Sequence, residues 1–187
     1  IGALYVRKTR ADQLSPLRGG GEQERRRRPG TENVVAIAGF KAALEAALQD
    51  LAGEADRLRQ LRARLWAGIQ REAPDCVVNG DLDHGLPNTL NVSFGDLNGE
   101  DLMMALDLRG LAVSTGSACA VGAHKPSHVI AAMRAESDVA GCIPIRFSWG
   151  FATTRSEIDH AVGILHAVVR RLRNSGGCCC NCKGTCL

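Results

Sequence analysis

Leu111-Ala112-Val113-Ser114-Thr115-Gly116-Ser117-Ala118-Cys119-Ala120-Val121-Gly122 joins two kinds of local order. The first three residues are apolar and strand-like. From Ser114 onward the side chains are small, Val121 being the one bulky exception. Pro126-Ser127 then opens a predicted helix over residues 127–135. Strand, small-residue loop and helix in succession make a unit of mixed class. The loop carries a thiol. On such a segment Cys119 suits a nucleophile that must reach a substrate held elsewhere. The other reading is a small buried cysteine at a tight turn.

The flanking sequence extends the same pattern. Pro74 marks a change to short alternating units: Val77-Val78 and residues 90–94 read as strands, and Asn98-Gly99 breaks the chain. Residues 100–109 read as a helix with Leu102, Ala105, Leu106 and Leu108 apolar. Residues 111–114 and 143–147 read as strands. A closing helix over 156–173 sets Ile158, Ala161, Val162, Leu165, Val168, Val169 and Leu172 on one side. This is an α+β pattern, a small sheet with helices on one face. Upstream, residues 1–7 read as one short strand, and 8–32 as a loop of Gly, Pro and charge. Asn33 is a helix cap. Leu44, Leu48, Leu51, Ala55, Leu58, Leu61, Leu65 and Ile69 then recur at helical spacing. A helix or helix pair over 33–72 would run to about 58 Å. Gly39, Gly53 and Gly68 are the predicted bends.

The chain has 187 residues, enough for one domain or one plus part of another. Its net charge of +3 gives no case for a nucleic-acid partner, and the dense arginines at 25–28 read as a solvated loop. No apolar run reaches the ~20 residues of a membrane span, so no membrane partner is expected. The first residues do not read as a signal peptide, and the chain starts without methionine. Cys76, Cys119 and Cys142 are scattered. Cys178, Cys179, Cys180, Cys182 and Cys186 crowd the end. Scattered thiols fit a reducing compartment, cytoplasmic or mitochondrial. Cys76 and Cys142, at strand edges, read as core cysteines.

Residues 114–119 with Pro126-Ser127-His128-Val129-Ile130-Ala131-Ala132-Met133 resemble the active-site segment of the cysteine desulfurases. These are pyridoxal 5'-phosphate (PLP) enzymes of the aminotransferase class V group. Ile1-Gly2-Ala3-Leu4-Tyr5-Val6-Arg7 resembles the strand after their PLP lysine. Gly19-Gly20-Gly21, Gln23-Glu24-Arg25 and Arg28-Pro29-Gly30-Thr31-Glu32-Asn33 resemble their glycine-rich loop. Asn79-Gly80-Asp81, Pro87-Asn88-Thr89-Leu90-Asn91-Val92-Ser93-Phe94 and Ile145-Arg146-Phe147-Ser148-Trp149-Gly150 are similar to their small-domain strands. Thr153-Thr154 with Glu157-Ile158-Asp159 resembles the start of their last helix. The resemblance covers nearly all of residues 1–174.

The resemblance implies the C-terminal half of a PLP fold type I enzyme. Residues 1–32 would end the PLP-binding large domain, 33–73 would be the linking helix, 74–174 the small α+β domain, and 175–187 a Cys-rich tail. It implies removal of sulfur from L-cysteine, leaving alanine and an enzyme persulfide for iron–sulfur cluster and sulfur-cofactor assembly. Cys119 would be the catalytic nucleophile, Arg146 the substrate-carboxylate ligand, and Thr31 a cofactor-binding residue that reaches the PLP phosphate of the other subunit. A homodimer with shared sites and a sulfur-acceptor or iron–sulfur scaffold partner follow. The Schiff-base lysine is not in this chain: Lys8, Lys41, Lys125 and Lys183 do not match its position. The span alone is therefore expected to be inactive.

Other readings stand beside these. His124 is either a proton-transfer partner or a plain loop histidine. Arg146 offers the planar, two-pronged donor set that a carboxylate needs, or pairs with Asp107 or Asp138 at the core edge. Thr31 is an anion ligand or a helix cap. The sequence departs from the family where Glu22 is inserted after Gly21 and where Arg26 and Arg27 replace smaller residues. Cys178, Cys180, Cys182 and Cys186 are candidate ligands for zinc, copper(I) or an iron–sulfur centre, or carriers of sulfur, or an incidental segment. The rivals to the main reading are a selenocysteine lyase-type enzyme and a non-catalytic split half acting as a sulfur-carrier or metal-binding module.

Overall fold

The second half of the leucine stripe read from the sequence becomes a long helix because its spacing puts Leu58, Leu61, Leu65 and Ile69 on one buried side. A computed structural model of the chain describes residues 1–95, 97–115, 128–133 and 143–175. Backbone contacts divide the chain into two compact units, Ile1–Leu51 and Ala52–Leu187.

The first unit holds a 3-10 helix (Lys8–Gln13), a one-turn helix α1 (Gln23–Arg26) and helix α2 (Val34–Gln49). Residues 1–7, read from sequence as a strand, have no ladder hydrogen bonds. A strand needs a neighbour, and none pairs with them among the described residues. In α1 Glu24, Arg25 and Arg26 take left-handed φ values of 51°, 57° and 62°. Arg27 Nη2 donates to the Ala11 carbonyl at 3.1 Å and ties this turn to the 3-10 helix.

The helical pattern over 33–72 divides into α2 and α3 (Leu51–Glu72) at Asp50, whose φ and ψ are −145° and 52°. The break is not at a glycine. A short carboxylate competes for nearby backbone groups and favours helix ends. Gly68 serves packing instead. A Cβ there would sit 2.6 Å from Val162 Cγ2.

The second unit is a four-stranded antiparallel sheet of order β1-β2-β4-β3 whose buried side chains pack with residues of three helices, 51–72, 99–107 and 155–174. Its strands are β1 (Val77–Val78), β2 (Thr89–Ser93), β3 (Ser114–Thr115) and β4 (Ile145–Ser148). The helices are α3, α4 (Gly99–Asp107), α5 (His128–Met133) and α6 (Arg155–Asn174). The expected strand over 111–114 is thus reduced to its last residue plus Thr115. Leu90, Val92, Ile145 and Phe147 face the core, where Leu65, Ile69, Leu102, Leu106, Leu165 and Val169 meet them. Each such side chain adds roughly 1.5–3 kcal/mol when fully buried.

Helices α3 and α6 run parallel, because their contacts advance together. Arg64 pairs with Asp159, Gly68 faces Val162, and Glu72 Oε2 lies 3.0 Å from His166 Nε2. Asn98 caps α4, and Thr154 with Glu157 forms a capping box on α6. The Thr154 hydrogen bonds hold the Glu157 carboxyl below its ordinary pKa.

Candidate active site

The sheet face turned away from the core is polar, a consequence of period-two alternation. In β4 Ile145 and Phe147 are buried, and Arg146 and Ser148 are exposed. Arg146 is the register partner of Asn91 on one side and Ser114 on the other. The β1–β2 pairing continues to Asn79, whose N–H donates to the Asn91 carbonyl at 2.8 Å. A row of polar residues therefore crosses the sheet: Asn79, Asn91, Arg146, Ser114. Directly opposed residues share a face, so the row is a contiguous surface.

Within it Asn79 Nδ2 donates to Asn91 Oδ1 at 2.7 Å and to Ser93 Oγ at 2.9 Å. Among the described residues the Arg146 side chain has no hydrogen-bond or ion-pair partner. Asp107, a candidate partner from the sequence, ends α4 and makes no pair with it. Asp138 lies outside the described residues. An exposed guanidinium beside amides is a ready carboxylate receptor.

Two arginines that the sequence reading did not single out clasp the segments that follow β1 and β4. Arg62, buried on the apolar stripe of α3, donates to the carbonyls of Leu82, Gly85 and Leu86. It thereby holds the segment between β1 and β2. Gly80, with φ of +109°, turns the chain there. His84 Nδ1 bonds Asp81 at 2.8 Å, and this bond, with backbone N–H donors, holds the Asp81 carboxyl below its ordinary pKa. Arg57 donates to the carbonyls of Gly150, Phe151 and Thr153, the turn after β4. Its other contact is Glu54, at 2.7 Å, whose carboxyl it holds below the usual range. A charged residue on an apolar helical stripe was the available signal for Arg62. For Asn91 it was an amide inside a strand.

Cys119 and His124 lie outside the described residues, as do Cys142 and the tail cysteines Cys178, Cys179, Cys180, Cys182 and Cys186. β3 leads into the Cys119 segment: Thr115 pairs with Ile145, and Cys119 follows it by four residues. Thr31 belongs to the first unit and Arg146 to the second. Around Thr31, Arg28 Nη1 donates to the carbonyls of Gly30 and Thr31 at 2.7 and 2.9 Å. Gly30 takes φ of +99°, and its N–H donates to Gln23 Oε1 at 3.1 Å. Asn33, not Thr31, caps α2, through its side chain and the Ala36 N–H. The Thr31 hydroxyl is exposed and bonds nothing among the described residues. Arg26 pairs with Glu22, and Arg27 and Arg28 donate to backbone carbonyls, so Arg25 and the Thr31 hydroxyl are the donors left for an anion such as a phosphate among the described residues of this segment.

Cys76 is buried, and burial, then the Asp75 charge, push its thiol up to about 11. A neutral buried thiol is a core residue, not a nucleophile. Among the described residues no cluster of three His, Cys, Asp or Glu side chains could hold a metal ion. No helix described is long and apolar enough to cross a membrane. A cleft lined by Glu72, His166, Arg170 and Asn174 holds none of the predicted site residues.

The chain is 44% identical over 173 residues to the cysteine desulfurase IscS of Photorhabdus laumondii. It is 38% identical over 173 residues to the cysteine desulfurase IscS of Dictyoglomus turgidum. Each alignment covers 92% of this chain but only 42% and 43% of the relative. A solved NifS-like protein superposes with a TM-score of 0.71 at 31% identity, over 85% of this chain and 40% of that one. The chain thus spans about two fifths of the length of the curated relatives it matches. Its α+β architecture is the one expected for this part of PLP fold type I. The sequence pattern of aminotransferase class V matches residues 1–161, and the chain belongs to that family.

Proposed function

We propose that the chain is the C-terminal part of a cysteine desulfurase, with Cys119 as nucleophile, Arg146 as substrate-carboxylate ligand and Thr31 as cofactor-phosphate ligand. The observation that carries this is the 44% identity to a cysteine desulfurase across 92% of the chain. The unpartnered Arg146 on the polar sheet face supports it. So does chain length: four residues beyond Thr115 keep the Cys119 Cα within about 14 Å of it. The residue division 1–32, 33–73, 74–174 and 175–187 is part of the same proposal.

PLP, when bound, supplies the electron sink that weakens the substrate's carbon–sulfur bond. Arg146 binds the carboxylate of L-cysteine with two parallel N–H donors and fixes the substrate's orientation. Cys119 attacks as thiolate, since the thiol is a poor nucleophile. A sulfur–sulfur bond forms and the substrate's Cβ–S bond breaks. Its electron pair remains with the alanine skeleton, which takes up a proton. The transferred sulfur stays as a persulfide on Cys119, so no external oxidant is needed. A sulfur-acceptor protein then collects it. Thr31 directs its hydroxyl to the cofactor phosphate of a second copy, which makes the working unit a homodimer. The present span alone turns over no cysteine, because none of its four lysines stands where the family holds PLP.

The test is alanine and sulfide release from L-cysteine with added PLP. The chain alone is expected to be silent, and turnover abolished by borohydride overturns that. Joined to the preceding half found in its relatives, it is expected to be active. Cys119→Ser then abolishes persulfide formation, and near-normal alanine production by that variant overturns the assignment. Arg146→Ala raises KM for cysteine with the fold intact.

A further inference from the structure

We propose that Asn91 is a second carboxylate-binding residue, presenting its Nδ2 hydrogens beside the Arg146 guanidinium, and that Asn79 holds it in that orientation. This rests on Arg146 as the substrate-carboxylate ligand.

Register is the first support. Asn91 and Arg146 are direct cross-strand partners on the polar face. Such partners hold their Cβ atoms about 4.5–5.5 Å apart, close enough for both side chains to reach one small anion. The amide orientation is the second. Asn79 Nδ2 donates to Asn91 Oδ1 at 2.7 Å, so the oxygen of Asn91 is engaged on the β1 side. β4 flanks β2 on the other side. The Nδ2 hydrogens of Asn91 are thus left for that side, and nothing among the described residues accepts them. Asn79 is itself fixed, by its bond to Ser93 Oγ at 2.9 Å and by its backbone N–H bond to the Asn91 carbonyl.

The residue type is the third support. An ionised carboxylate has about four acceptor sites, and a guanidinium fork fills two of them. A neighbouring amide N–H fills a third without adding charge. Aspartate at 91 would instead pair with Arg146 and close it to substrate. Asparagine keeps the shape and leaves the cation free. Asn91 is half-buried, where a hydrogen bond to an anion is worth more than in open water.

The experiment uses the completed enzyme and two substrates, L-cysteine and its methyl ester, which lacks the carboxylate. Asn91→Ala is expected to lower kcat/KM for cysteine about 10- to 100-fold, mainly through KM, while the ester changes by less than about twofold. Asn91→Asp, nearly isosteric, is expected to lose at least as much on cysteine, and Asn79→Ala to lose in the same direction but less. Equal losses on both substrates mean a merely structural role and overturn the inference. If Arg146→Ala loses cysteine binding and Asn91→Ala does not, the inference falls and the Arg146 reading stands. If Arg146→Ala leaves KM unchanged, both fall. A second readout needs no turnover. In the 15N-labelled chain titrated with acetate, the Asn91 side-chain amide signals should shift together with Arg146 Nε–H, and not in Arg146→Ala. A shift at Arg146 alone overturns the role of Asn91.

Discussion

Gly68→Ala sets two opposed effects against each other, and their magnitudes decide the sign. Alanine in place of glycine inside a helix gains about 1 kcal/mol from backbone entropy. Against this, the new methyl would lie 2.6 and 2.7 Å from the two Val162 methyls and 3.3 Å from its Cβ. Carbon atoms in comfortable contact are about 3.5–4.0 Å apart, so the shortfall is close to 1 Å at two atoms. Valine cannot swing away, because its branched Cβ leaves one favoured rotamer in a helix. The helices cannot slide apart freely either, since Arg64–Asp159 and Glu72–His166 bridge them on both sides of the contact. Overpacking of this kind costs about 1–3 kcal/mol, and a doubly hit, stiff neighbour belongs at the upper end. The expected net is a loss of about 1–2 kcal/mol, read by equilibrium urea unfolding. Val162→Ala opens the space, so the Gly68→Ala/Val162→Ala pair should show a favourable coupling of about 1–2 kcal/mol in a double-mutant cycle. A Gly68→Ala variant more stable than the parent, or strictly additive effects, would refute the close parallel approach of α3 and α6.

Cys76 makes stability depend on alkaline pH: its folded pKa of about 11 exceeds the ordinary 9.0, so the neutral thiol favours the fold. That contribution is complete below pH 9 and is lost as pH rises toward 11; the gap of about two pKa units corresponds to about 3 kcal/mol. The stability difference between the parent and Cys76→Ala should shrink by that order from pH 8 to pH 11, and a flat difference contradicts the burial. Arg62→Met should cost about 3 kcal/mol, because three carbonyls lose a buried cationic donor, and should speed amide exchange over residues 81–88. Unchanged exchange there would remove Arg62 as the clasp of that segment. Deleting residues 176–187 should leave the reduced chain's melting temperature nearly unchanged. If zinc raises the melting temperature of the intact chain alone, the tail is a metal site.

The second unit was legible in the sequence because its signals are local. The closing helix, expected over 156–173, is Arg155–Asn174, and its start is written in the Thr154 and Glu157 pair. The helix expected over 100–109 is Gly99–Asp107, with Asn98 as cap. What failed depends on distant or conformational facts. The leucine stripe runs through Asp50 without losing its spacing, so periodicity left one helix or a pair open, and the predicted glycine bends missed the break at Asp50. Residues 1–7 pair with nothing among the described residues, so their strand reading remains part of the proposal in which they belong to the large domain.

The candidate site divides along the same line. Alternation within 89–93 and 145–148 already puts Asn91, Arg146 and Ser148 on polar faces, since parity along a strand is a local property. Which polar residue neighbours which is set by register, and a one-residue slip moves every side chain to the other face. Asn91 and Arg146 are far apart in the chain, and neither strand specifies that they meet. The pairing Asn91↔Arg146, with Ser114 on the far side, therefore had to come from the fold. It also bears on the two meanings the sequence allowed for Arg146. Among the described residues no acid stands beside Arg146 in the row, and Asp138 lies outside them. The flanking positions are an amide and a hydroxyl, which solvate a guanidinium poorly in comparison with a carboxylate and leave its charge for a ligand. The same row is what the proposed carboxylate-binding roles of Arg146 and Asn91 rest on.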